Sequence, residues 1–279
     1  QAWVAQQNAL TRSQLDKLPN RGAILQELTE LLGKAPTTRR QFHYAGGKLF
    51  AMKAQPPANQ PRLVVLADPT DPASEKTIVD PNVLNPKGTT TIDWFVPSLD
   101  GKTVAVSLSD NGSEDGTLHF FDAATGRQLG DTVPRVQYPT GGGSVAWAPG
   151  NQGLYYTRFL QGSERPAADA NFYQQVWFHQ LGTPATKDHY VIGKDFPRVA
   201  ETALSTTEDG RYVLADVSNG DGGEHAFYLQ GPAKRWTRLA AFEDGVRSVA
   251  LGRDGRWYGV VLKGSPRGRI VAGSLAEPS

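Results

Sequence analysis

Three short turns recur along this chain, and each feeds an apolar strand-like run. Asp100-Gly101-Lys102 leads into Thr103–Leu108, Asp209-Gly210-Arg211 into Tyr212–Val217, and Asp254-Gly255-Arg256 into Trp257–Leu262. Gly47-Lys48 and Gly153-Leu154 occupy equivalent places. These glycines are spaced by 54, 52, 57 and 45 residues (47 to 101, 101 to 153, 153 to 210, 210 to 255). Asp-Gly supplies the positive φ that a tight hairpin turn demands, so each site predicts a reversal between antiparallel strands. A unit of about 40–50 residues holding four short strands is the signature of a β-propeller blade. The expected class is therefore all-β, a propeller of four-stranded antiparallel blades. Residues 42–279 have room for four to five of them.

The second unit is the most legible. Asp93–Pro97 reads as an inner strand and Thr103–Ser109 as a second, with Val104, Val106 and Leu108 sharing one face. Thr117–Asp122 supplies a third strand, Ala123–Gly126 a turn, and Arg135–Tyr138 a fourth strand. Lys48–Met52 and Arg62–Leu66 read as strands of the first unit. Before residue 42 the period is helical. Leu10, Leu15 and Leu18 precede a break at Pro19-Asn20, and Ile24, Leu25, Leu28, Leu31 and Leu32 then recur at helical spacing. Asn20 is placed to cap the second helix and Gly33 to end it. The domain division is 1–41, a helical segment, and 42–279, the propeller.

Composition narrows the function classes. Lys plus Arg number 29 against 28 acidic residues, a formal charge of +1, which gives no basis for nucleic acid or an anionic membrane as partner. No apolar run reaches the length of a membrane span. Cysteine is absent, which removes disulfides and thiolate metal sites and leaves the compartment open between cytoplasm and periplasm for a soluble protein. The abrupt helical start at Gln1 reads as a segment whose natural beginning lies upstream.

Several separate motifs, in order, resemble those of the prolyl oligopeptidase family of serine peptidases. Gln175-Val-Trp-Phe-His-Gln-Leu-Gly-Thr183 is similar to the family's "YYHxLGT" strand, and Asp80-Pro-Asn-Val-Leu84 to its "DPNxL" segment. Ser144-Val-Ala-Trp-Ala148 with Gly153-Leu-Tyr-Tyr-Thr-Arg158 resembles its "AW…DGKGxxYSRY" hairpin. Trp3–Thr11 resembles the "WVEAQNALT" helix upstream of its propeller. The likeness runs from about residue 3 to about 230. It implies a seven-bladed propeller in the whole enzyme, so about two blades would follow Ser279, with an α/β-hydrolase domain after them. It also implies short peptides as substrates, cleavage after proline, and packing of residues 1–41 on the hydrolase domain.

The chemistry itself is not in this stretch. The family nucleophile needs a Gly-x-Ser-x-Gly elbow that lifts the hydroxyl toward an oxyanion hole. Gly112-Ser-Glu-Asp-Gly116 and Gly264-Ser-Pro-Arg-Gly268 have the wrong spacing and read as loops. No catalytic residue is assigned, and the chain alone is expected to hydrolyse nothing. His43, His119, His179, His189 and His225 are scattered without the short spacings of a metal site, and no metal or cofactor is expected. His179 reads as a tyrosine-like filler of a blade face. Asp110–Gly116 reads as a solvated turn rather than a calcium loop, and Gly141–Ser144 as a flexible insertion.

One position gains a binding role by resemblance. Arg135-Val-Gln-Tyr138 matches the family's "VKF", whose aromatic faces substrate, which makes Tyr138 the candidate substrate-binding residue. Where the family carries an arginine that pairs with the substrate chain, this sequence has Ser218-Asn219. That departure leaves cleavage after basic residues, or from peptide ends, open beside cleavage after proline. A stand-alone propeller that binds proteins without catalysis is the reading from another class.

Overall fold

The computed structural model describes residues 1–278. Two helices come first, α1 (Ala2–Leu15) and α2 (Arg21–Gly33), and neither buries a residue. Asn20 sits at the α2 N-cap, but its backbone is helical and its side chain makes no capping bond. Gly33 stays inside the helix, and Lys34 ends it without a left-handed residue. The local signals thus located the helix ends but not their chemistry, because a cap side chain can bond only when the cap backbone leaves helical geometry.

The remainder is five antiparallel sheets laid down in sequence order. The first contains β1 (Thr38–Ala45), β2 (Lys48–Ala54), β3 (Arg62–Leu66) and β4 (Glu75–Val79). A short helical turn, α3 (Pro81–Leu84), follows. The second has β5 (Thr90–Pro97), β6 (Thr103–Asp110), β7 (Gly116–Asp122) and β8 (Gln128–Gln137). The third has β9 (Val145–Trp147), β10 (Gly153–Arg158), β11 (Gln175–Gln180) and β12 (His189–Ile192). The fourth has β13 (Ala200–Thr206), β14 (Val213–Asn219), β15 (His225–Gln230) and β16 (Trp236–Ala240). The fifth, β17 (Val246–Leu251), β18 (Arg256–Val261) and β19 (Arg269–Ser274), has three strands among the described residues. Strand pairing begins at Thr38, four residues before the sequence boundary at 42.

The repeated turn falls where the spacing places it. Gly47, Gly101, Gly150, Gly210 and Gly255 all have positive φ and all lie between the first and second strands of a sheet. In the third sheet that role belongs to Gly150, while Gly153 already starts β10. At Gly101 the constraint is double, because a Cβ would collide with the Ala45 carbonyl of the neighbouring turn.

Four hydrophobic clusters fill the four seams between successive sheets. Val104 and Val106 face Phe50 and Leu63 in the first seam, while the intervening Ala105 joins Trp147 and Leu154 in the second. Val213 and Ala215 pack with Ala146 and Tyr155 in the third, and Leu214 joins Phe227 and Val246 in the fourth. Period-two alternation therefore buries both faces of each middle sheet, as stacked blades require. First strands of neighbouring sheets approach one another, β1 with β5 and β9 with β13, forming the inner rim.

The motif at Asp80 now has a mechanical reading. Its carboxylate accepts from Asn82 N (2.9 Å) and caps α3, and the Asn82 side chain exchanges two hydrogen bonds with the Gln60 backbone (3.0 and 2.9 Å). The segment fixes the crossing from the first sheet to the second.

Candidate functional site

Tyr138 lies one residue beyond β8. It is half-buried, its ring edge-on to Phe159 (5.9 Å between centroids) and 5.5 Å from the Arg135 guanidinium. Its backbone pairs with Gly142, donating at 3.2 Å and accepting at 2.8 Å, so Pro139–Gly143 folds back as a closed turn. The phenol oxygen has no hydrogen-bond partner among the described residues.

This loop is fixed rather than flexible, a correction to the sequence expectation. The wholly buried Gln174 donates to the carbonyls of Gly141 (3.1 Å) and Gly142 (3.2 Å), and its side-chain oxygen accepts from Thr202 N (2.8 Å). Arg135 donates to Asn171 Oδ1 (2.6 Å) and to the Ala170 carbonyl (3.1 Å), and Thr140 donates to the Asn171 carbonyl. The insertion 159–174 thus acts as a clamp, tying the second sheet's last strand to the fourth sheet's first. Buried amide groups of this kind persist because each donor and acceptor finds a partner. Gln174 carries no sequence signal, and Arg135 enters the sequence reading only as the first residue of the Tyr138 strand, because their partners lie in other elements.

Across the loop stands the fourth sheet. Ser144 bridges to it, with Leu204 N donating to Ser144 Oγ at 2.9 Å. Glu201, Thr202, Asp216, Ser218 and His225 line a cleft of about 300 Å³ together with Gly141–Ser144. His225 Nδ1 and Asp216 Oδ1 are 2.7 Å apart. Ser218, the residue standing where the family arginine is expected, is therefore part of this cleft. Gly141 cannot be larger here without pressing on the Ala200 carbonyl.

The other predicted sites scatter. Ser113 lies in the turn between β6 and β7, and Ser265 in the turn between β18 and β19, and neither hydroxyl bonds to a histidine among the described residues. Asp110 ends β6 and accepts from Thr90 Oγ1. His43 packs on Phe95 and His189 on Phe178, while His119 contacts Gln128. His119 is held below the usual histidine range by burial, against the Asp110 charge, which pulls the other way. His179 is more than a filler. It is fully buried, stacked on Phe120, with Nδ1 2.8 Å from Asp188 Oδ1 and Nε2 3.7 Å from Asp131. Tyr156 OH donates to the other Asp188 oxygen at 2.9 Å, and burial beside that carboxylate pushes its ionisation far up. This group ties the third sheet to the second.

Five stacked antiparallel sheets entered through a helical pair define a β-propeller segment. The whole chain, residues 1–279, matches the family described as the prolyl oligopeptidase N-terminal β-propeller domain, and it belongs to that family. Curated relatives include the prolyl endopeptidases of Elizabethkingia miricola and Elizabethkingia meningoseptica, each 26% identical over 99% of this chain and 38% of its own length. A solved prolyl endopeptidase aligns over 100% of this chain and 40% of its own, at a TM-score of 0.86 and 24% identity. Prolyl oligopeptidase B of Galerina marginata bound to a 25-residue macrocyclization substrate aligns at 0.78 and 16%, covering 99% and 41%. The chain thus spans about two fifths of the length of the relatives it matches.

Proposed function

We propose that this chain is the substrate-gating part of a serine oligopeptidase that cleaves short peptides on the carboxyl side of proline. The observation that carries this reading is the family match along the entire chain, with peptidases as the curated relatives over 99% of it. The remaining polypeptide supplies the hydrolase domain, with its serine nucleophile, its histidine base and its oxyanion hole. It also supplies the surfaces that cover α1, α2 and the outer faces of the first and fifth sheets. The propeller's role is then admission, since chains too bulky to enter cannot reach the nucleophile.

Within this reading Tyr138 contacts the peptide. Its free phenol and half-open ring, backed by Phe159 and held by the Gln174 clamp, suit an aromatic wall. Without a nucleophile the isolated chain binds peptides but leaves the chemical barrier unchanged. The test is hydrolysis of a fluorogenic peptide with proline before the scissile bond. The complete polypeptide should turn it over and lose activity to a serine-directed fluorophosphonate. The purified 279-residue chain should give no turnover. Tyr138→Ala in the complete enzyme should raise KM by about 5- to 100-fold, the equivalent of about 1–3 kcal/mol of lost aromatic contact. Equal activity of the chain alone, or resistance to the fluorophosphonate, would refute the assignment.

A further inference from the structure

A cavity of about 440 Å³ opens between the third and fourth sheets, within the roughly 300–1,000 Å³ of small-molecule sites. It lies at the end of the sheets that carries the repeated turns. Tyr138 lies at the other end, because β8 runs away from those turns.

Strand register builds the two walls. On the third sheet Tyr155 lies opposite Phe178, and Phe178 opposite His189, so three rings share one face. A Cβ at Gly153 would strike the Phe178 ring at 2.6 Å, so only glycine there leaves that ring its place. On the fourth sheet Val213 lies opposite Gln230. Val213 packs with Tyr155 in the shared seam, which turns Gln230 toward the rings. Gln230 and all three rings line the cavity.

The polar groups mark this space as a ligand site. Gln230 is 5% exposed, and its Oε1 accepts from the Tyr155 hydroxyl at 2.6 Å. Its Nε2 has no partner among the described residues and is not sealed from solvent, so its opening is the cavity. Arg211, from the turn between β13 and β14, and Lys234, from the turn between β15 and β16, stand exposed at the lip. Neither cation forms an ion pair among the described residues. Asp209, beside Arg211, is tied into its own turn, accepting from Thr207 Oγ1 (2.6 Å) and Arg211 N (3.0 Å). Lys234 N donates to the Gly231 carbonyl at 2.9 Å, which fixes the second turn. No acidic side chain among the described residues lines the cavity.

We propose that this cavity binds a small organic anion built on a flat ring. The ring lies against Phe178 and His189, and the anionic group, a carboxylate or a phosphate, meets Arg211, Lys234 and Gln230 Nε2. An amide donor left unpaired at a buried position is costly, and the anion supplies its acceptor. Hydrogen bonds from a guanidinium and an ammonium are charge-assisted, and the aromatic wall adds ring contacts. The inference does not depend on the peptidase reading, and it adds a ligand to the propeller itself.

The experiment is isothermal titration calorimetry on the complete polypeptide with two probe pairs. These are indole-3-acetate against indole-3-acetamide, and adenosine monophosphate against adenosine. Each pair keeps the ring and removes the charge. At least one acid should bind about tenfold more tightly than its neutral partner, as expected for two partly exposed cations. The pair that shows the preference tells carboxylate from phosphate. Acetate and inorganic phosphate, anions without a ring, should not displace the bound acid. Arg211→Gln and Lys234→Gln alter exposed turn positions, so the fold is kept. Each should shrink the ratio about threefold and the pair should abolish it, with the neutral probe unaffected. Equal affinity for acid and neutral partner in both pairs would overturn the site. A preference that survives the double substitution would overturn it too, as would full displacement by acetate or phosphate.

Discussion

Leu229 and Ile270 each sit within the third strand of a sheet, yet Leu229 is 1% exposed and Ile270 is 77% exposed. Leu229 faces the seam between the fourth and fifth sheets, and Ile270 lies on the last sheet, beyond which no further sheet is described. The same contrast holds at the other end. Phe50 on β2 is fully buried, while Phe42 and Tyr44 on β1 are 57% and 71% exposed. Apolar alternation therefore specifies which side chains share a face but not what lies against it. In the middle sheets the cover comes from the next repeat. At the ends, and along α1 and α2, no described residue supplies it.

The difference is breakable by mutation, and the largest effect lies in the seams. Phe227→Ala and Leu229→Ala should each cost the isolated chain about 3–4 kcal/mol of unfolding free energy, since a filled seam cannot collapse around the cavity. Ile270→Ala should stay within about 0.5 kcal/mol under the same conditions. Urea denaturation of the three variants reads both halves. Equal losses would mean that the last sheet is covered in solution, by self-association or otherwise.

A smaller effect is expected at the polar tie between the second and third sheets. Asp188→Ala strips partners from the buried Tyr156 hydroxyl and His179 ring together, and should cost about 2–3 kcal/mol. His179→Phe keeps the stack on Phe120 without needing the carboxylate, so combining it with Asp188→Ala should recover part of that loss. A double-mutant cycle by thermal or urea melting measures the coupling.

The first sheet offers a pH test. Burial alone would raise the Glu75 carboxyl, but hydrogen bonds from Lys53 (2.5 Å) and Arg39 outweigh it and hold the group below the usual carboxylate range. A depressed folded value means that the contribution is complete above the unfolded carboxylate value, near 4.3, and fades as pH falls through the folded one. The unaltered chain should therefore exceed Glu75→Gln by about 1 kcal/mol at pH 7, the gap closing below pH ~4. A gap independent of pH would remove the ion pairs from the explanation. Least of all should follow from Arg253→Ala. Its bridge to Glu208 joins two turns in open solvent (83% and 73% side-chain exposure), and its loss should leave the melting temperature unchanged.

Legibility in the sequence followed the range of each interaction. The hairpins at Gly101, Gly210 and Gly255 were readable because positive φ and two-residue periodicity are local properties. The strands of the second sheet came out within a few residues for the same reason, except β8. Its first seven residues, Gln128–Pro134, include Gly130 and Pro134 and carry no clear strand signal. Tyr138 was found only through a family motif. Gln174 was not found at all, because its partners at Gly141, Gly142 and Thr202 are 28 to 33 positions away. His179 looked like an aromatic filler because its two carboxylates come from other strands and loops. The cavity between the third and fourth sheets shows only once the register sets Gln230 opposite Val213.

The central claim is that residues 1–279 form a propeller segment whose helices and end sheets are completed by the rest of a peptidase. Hydrogen exchange measured by mass spectrometry on the 279-residue chain and on the complete polypeptide tests it most directly. Amides of α1, α2, β1 and β19 should exchange at least about tenfold more slowly in the complete polypeptide, while those of β6, β10 and β14 stay equally protected in both. Helices that exchange equally fast in the two proteins would contradict it.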